Sequence, residues 1–273
     1  MLMRFIFATF LILFLLFHPA AIAPVQAQLN ITETESNQLD ALVKKAFEAT
    51  DAGDFIEAEG YWTDLIKLYP DNAAGWSNRG NSRISQNRSQ EALADYNKSV
   101  ELAPNYPDPY LNRGAALESL GKWQEAIADY NRVLEIDPKD AAAYNNRGNA
   151  KAGLGKWQEA IADYQTAMQV NSRFSTAFGN NAIALYEVGA QTGDTDAAIK
   201  AMKNILRKYP NFTDVRAALA AALWADKKLG EAESNWVSVE NLDPRYRDIN
   251  WVKNIRRWPT SLVVALEKFL TLK

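Results

Sequence analysis

The chain contains no cysteine, and its single histidine is His18. The absence of thiols excludes a disulfide framework, a thiolate nucleophile and the soft metal ligands. Past His18 the chain also lacks the side chain most often used as a general base. No glycine-rich phosphate loop and no calcium loop is present. Carboxylates remain, but those at Glu125, Asp129, Glu159 and Asp163 recur with a helical pattern and read as solvated helix faces rather than acid–base machinery. The net charge is only −3, so the basic face of a nucleic-acid binder is missing as well. These absences point away from an enzyme, a cofactor, a bound metal, a nucleic-acid partner and a small-molecule substrate. The rival reading is an enzyme that works with carboxylates alone.

Long apolar runs are scarce too. One runs from Phe5 to Phe17, behind the charged start Met1 to Arg4, and Val25-Gln26-Ala27 then supplies a small-x-Ala cleavage site. That is the plan of a secretory signal peptide over residues 1–27. The run is short for a membrane span, although an uncleaved anchor is the alternative. No cysteine is available there for a lipid anchor. A mature chain starting at Gln28 loses Arg4, so it is one unit more negative than the whole. The location expected is outside the cytoplasm, in a periplasm or a thylakoid lumen.

What the chain does have is repetition. Residues 120–130 read LGKWQEAIADY, and residues 154–164 read the same again, 34 positions on. A fixed period of that size means stacked units rather than a single core. Within 141–174, Ala141 to Leu154 reads as one helix, Gly155 breaks it, and Trp157 to Val170 reads as a second. Trp157, Ala160, Ile161, Tyr164 and Ala167 fall on one face of that second helix. The short turn forces the pair antiparallel. Gly148 and Ala160 are small where the helices must cross, with Trp157 and Tyr164 filling the space beside them. The preceding unit ends on Asp137-Pro138, which stops its second helix.

This unit resembles the tetratricopeptide repeat, a 34-residue helix–turn–helix. The sequence departs from the family pattern at one core position, where Arg79, Arg113 and Arg147 replace the usual Leu. Their alkyl stems are expected to pack while their heads reach water. The resemblance implies an all-α, right-handed superhelical solenoid of six repeats, at 39–72, 73–106, 107–140, 141–174, 175–212 and 213–246. A flexible arm over 28–38 is expected to precede them. In the fifth repeat the pattern resumes four residues late, which predicts an enlarged turn near Gln191 to Thr195. Residues 247–273 form two short amphipathic helices broken at Pro259. They read as a cap on the last repeat, or alternatively as a docking element for a membrane or a partner. Their wording resembles the ends of exported repeat proteins of cyanobacteria and chloroplast lumens.

The resemblance also implies a binding face. In this family the first helix of each repeat lines a concave groove, and the sixth residue of the repeat points into it. Here that residue is Asn78, Asn112, Asn146 and Asn180 in four consecutive repeats, with Asn81, Asn145 and Asn149 nearby. A side-chain amide both donates and accepts, so a row of them suits the main chain of an extended peptide, as asparagine ladders do in similar superhelices. A second family mode clamps a C-terminal carboxylate with Lys and Arg in successive repeats. Its cation positions hold Val43, Ser77, Leu111 and Asn145, then Asp108, Ala142 and Thr176, none of them a cation. The expected function is a protein-binding scaffold or assembly factor whose partner is another protein or peptide segment, including one of a membrane complex. The alternatives are a self-assembling structural protein and a membrane-docked adaptor.

Overall fold

The computed structural model describes residues 33–272. The expected signal peptide, residues 1–27, and the first residues of the expected arm lie outside them. The described chain forms two units. The first, up to Leu120, contains α1 (Glu33–Ala52), α2 (Phe55–Leu68), α3 (Ala73–Ser85), α4 (Ser89–Leu102) and α5 (Pro107–Ser119). The second, from Gly121, contains α6 (Trp123–Ile136), α7 (Ala141–Gly153), α8 (Trp157–Val170), α9 (Ser175–Thr192), α10 (Asp196–Lys208), α11 (Thr213–Ala225) and α12 (Leu229–Leu242). A 3-10 turn (Pro244–Arg247), α13 (Ile249–Asn254) and α14 (Thr260–Thr271) complete it. Among the described residues there is no strand, and no helix is long and apolar enough to cross a membrane.

Local chemistry sets the helix ends. Asp54, Asn72 and Asp140 each accept a hydrogen bond from the backbone N–H three residues on, at 2.8–2.9 Å, which caps α2, α3 and α7. Pro107 opens α5, where a missing N–H costs nothing. The turn inside each helix pair needs one residue with positive φ. Gly121 and Gly155 supply it at +72° and +75°, but Asn87 and Lys227 take the same repeat position at +61° and +60°. The arm is shorter than expected: residues 33–38 already belong to α1.

The helix crossings follow the small-against-large pattern. Ala126 and Ala160 are fully buried. A Cβ added at Gly80 would lie 2.7 Å from the Tyr96 ring, and one at Gly148 would lie 2.6 Å from Tyr164. These glycines are therefore what lets the two helices of a pair approach.

Three expectations need correction. First, Arg79 and Arg147 do not send their heads to water, whereas Arg113 donates to the exposed Asn97 Oδ1 at 3.0 Å. Arg79 makes a bidentate pair with Asp95 at 3.0 and 2.6 Å, and Arg147 does the same with Asp163 at 2.9 and 2.7 Å. The flat guanidinium matches two carboxylate oxygens across the helix pair, which a stem packed in a Leu site does not achieve. Second, Asp129 and Asp163 are therefore not on a solvated face: both are 5% exposed, whereas Glu125 and Glu159 are exposed as expected. Third, the extra residues of repeat five do not enlarge the turn. They lengthen α9 to 18 residues, and Gly193 ends it at φ +83°. The chain then folds back so tightly that a Cβ on Gly189 would lie 2.2 Å from the Asp194 carbonyl oxygen.

Candidate functional site

The first helices of successive repeats touch one another, α3 with α5 in the first unit and α7 with α9 and α9 with α11 in the second. All seven asparagines singled out in the sequence stand on these helices. They are partly exposed, except Asn145, which is buried. They do not simply face water, because six of them bond to one another and Asn112 bonds to Ser77.

In the first unit the Asn112 amide donates to the Ser77 hydroxyl at 3.0 Å. The Asn81 amide donates to Asn78 Oδ1 at 3.4 Å, and Asn81 Oδ1 accepts from the Tyr96 hydroxyl at 2.8 Å. Burial pushes the Tyr96 phenol well above its ordinary range, so it stays a neutral donor. These bonds leave the Asn78 amide N–H₂ and the Asn112 carbonyl oxygen without partners among the described residues.

The second unit repeats the arrangement more tightly. Asn180 donates to Asn145 Oδ1 and to Asn149 Oδ1, both at 3.0 Å. Asn149 also accepts from the Tyr164 hydroxyl at 2.9 Å, and Asn145 donates to Asn146 Oδ1 at 3.2 Å. Here the N–H₂ groups of Asn146 and Asn149 and the Asn180 carbonyl oxygen are left over among the described residues. The first unit thus presents one spare amide donor and one spare amide acceptor, and the second two spare donors and one spare acceptor, on consecutive first helices. A peptide main chain offers the complementary C=O and N–H. The spare groups are uncharged and held in place by their neighbours, so little ordering is left for a bound segment to impose.

Comparison with known proteins agrees with the helix pairs. Residues 80–121 and 117–155 match the TPR repeat, and 141–174 and 190–240 match the tetratricopeptide repeat, together more than half of the chain. The chain belongs to the tetratricopeptide repeat family. It is 41% identical over 63 residues to Hsp70-Hsp90 organizing protein 2 of Arabidopsis thaliana and 43% identical over 63 residues to the Hsp70-Hsp90 organizing protein of Triticum aestivum. The match covers 23% of this chain and only 11% of either relative. A tetratricopeptide repeat protein of Parabacteroides merdae has the same fold at 19% identity, with a TM-score of 0.65 over 86% of this chain and 99% of that one. YrrB, described as a TPR protein with an unusual peptide-binding site, has a TM-score of 0.51 at 17% identity, covering 76% of this chain and 97% of its own.

The end of this tetratricopeptide chain holds residues that sequence reasoning missed. The tail covers the last repeat, and it also lies along first helices: α14 packs on α11 and on α9. Asp214, 7% exposed on α11, accepts from the Tyr246 hydroxyl at 2.7 Å, the Trp258 indole at 2.9 Å and Arg256 Nε at 3.1 Å. Glu187, 8% exposed on α9, accepts from the Ser261 N–H at 3.2 Å and from the Ser261 hydroxyl. A carboxylate thereby sits at the positive end of the α14 dipole. The Arg257 guanidinium lies over the Trp123 ring of α6, 5.0 Å from its centroid. Trp258 is buried, and Trp251 is half-buried against Tyr246 at 5.1 Å. One sequence signal did exist. Glu187 interrupts the otherwise apolar 182–189 stretch, and a lone charge inside a buried run needs a partner.

Proposed function

We propose that this tetratricopeptide repeat protein is a binding scaffold that holds an extended segment of another protein by its main chain, without enzymatic chemistry. The observation that carries this reading is the spare donor and acceptor pair on consecutive first helices, Asn78 with Asn112 and Asn146 with Asn180. Amides aimed at a main chain are indifferent to partner side chains, and the absence of charge makes the contact insensitive to salt. The seven asparagines 78, 81, 112, 145, 146, 149 and 180 form the site, with Asn81, Asn145 and Asn149 orienting Asn78, Asn146 and Asn180, and Ser77 orienting Asn112. We place the protein outside the cytoplasm, in a periplasm or thylakoid lumen, on the strength of the charged, apolar and small-residue succession in residues 1–27. There it would act as an assembly factor, including for a membrane complex.

Peptides selected from a random displayed library test the binding mode. The selected peptides should tolerate side-chain exchange but lose binding when single backbone nitrogens are methylated. Asn112→Ala with Asn180→Ala should weaken them, each lost bond counting for about 0.5–1.5 kcal/mol. Binders unaffected by both N-methylation and these substitutions would refute the reading. Mass spectrometry of the native protein tests export: a chain beginning at Gln28 supports it, and an intact N terminus in washed membranes supports the anchor instead.

A further inference from the structure

The C-terminal segment does more than cover an exposed end. Glu187 follows Asn180 by seven residues on α9, so both lie on one helix face about two turns apart. Asp214 lies four residues before Ala218, which holds on α11 the repeat position of Asn146 and Asn180, so it shares that face of its helix. The tail therefore sits on the continuation of the asparagine face. Its grip there is polar and specific: Arg256 and Trp258 on Asp214, the start of α14 on Glu187, and Arg257 on Trp123. Arg257 holds φ at +55°, a conformation disfavoured for a residue with a Cβ. A cap needs only to cover apolar surface, and Leu262, Leu266 and Phe269 already do so.

We propose that residues 256–261 are a built-in ligand of the binding face, occupying the sites that Asp214 and Glu187 offer beyond Asn180. The groove open to a partner ends at Asn180 while the tail is seated, and a longer partner segment must displace it. This consequence for a partner rests on the asparagine reading, whereas the occupancy itself does not. The tail supplies the matching chemistry: a cation and an indole for Asp214, and a hydroxyl-bearing helix start for Glu187.

The test uses the full chain and, as probe, a labelled synthetic peptide of residues 250–272. The tail in place should exclude the probe through its high effective concentration, so Arg256→Ala with Trp258→Ala should bind it at least about tenfold more tightly than the parent. Adding Asp214→Asn and Glu187→Gln to that variant should abolish the gain. Tail amides that exchange faster in the variant, with no gain in probe binding, would overturn the proposal and leave a purely structural cap. Hydrogen exchange on the unaltered protein gives a second test that no folding defect can obscure. Amides of α14 should open independently of α11, and exchange of both only through global unfolding would equally overturn it. The probe does not touch the asparagines, so this failure and a failure of the main-chain reading are separable.

Discussion

At the scale of single residues, charge in this protein is used for internal joints. Glu59 accepts from Arg83 at 2.8 Å, Gln86 at 2.9 Å and Arg88 at 2.6 Å. Burial pushes its carboxyl up, but those bonds outweigh it and hold the group at about 2, against an ordinary 4.5. A depressed carboxyl contributes stability that is complete above its unfolded value and is lost as pH falls through the folded one. Thermal midpoints should therefore drop between about pH 4.5 and 2, and Glu59→Gln should flatten that part of the profile. Space is as closely set as charge. Gly148→Ala drives a methyl against Tyr164, whose hydroxyl also orients Asn149. It should cost about 1–3 kcal/mol in a denaturant titration.

At the scale of the element, each helix pair depends on one left-handed residue in its turn. Glycine fills that place at 53, 121, 155 and 193, but Lys227 must adopt φ +60° with a side chain attached. Relieving this cost in an exposed turn should stabilise, so Lys227→Gly is expected to gain about 1 kcal/mol, measured as a higher denaturation midpoint. The long helix α9 shows what an insertion does in such a repeat. The added residues extend the helix because Gly193 still supplies the turn and Gly189 lets the returning chain cross closely. Helix α11 shows the effect of a tail. It is Ala-rich and buried from Val215 to Leu223 except at Arg216, since α14 packs on it as well as on α9.

At the scale of the whole molecule, the proposed binding is distributed over two units, with one spare donor and one spare acceptor in the first and two donors and one acceptor in the second. Asn78→Ala with Asn112→Ala in the first unit and Asn146→Ala with Asn180→Ala in the second should each weaken a main-chain-bound peptide. The combined variant should lose about the sum of the two effects, because the pairs share no bond. The stability costs should differ. Asn180→Ala leaves the buried Asn145 without its donor, at about 1 kcal/mol or more, whereas Asn78→Ala removes only the acceptor of a 3.4 Å bond. Calorimetry on the folded variants, with a melting curve for each, separates the two quantities.

The period of 34 residues, the paired helices, the glycine and alanine crossings and the register of the asparagines were all legible in the sequence alone. Each arises from packing between neighbouring segments and is restated in every repeat, so local pattern determines it. Tertiary structure alone decided which polar groups meet. Asn180 reaches Asn145 across 35 residues, Arg147 reaches Asp163 across 16, and Trp258 reaches Asp214 across 44. In the sequence those side chains are indistinguishable from solvated ones, because hydrogen bonding depends on distances of about 3 Å that no spacing rule encodes. The tail shows the difference most plainly. Its amphipathic pattern requires a surface to cover, but only the folded chain selects α9 and α11, where Glu187 and Asp214 are buried and need the partners it brings.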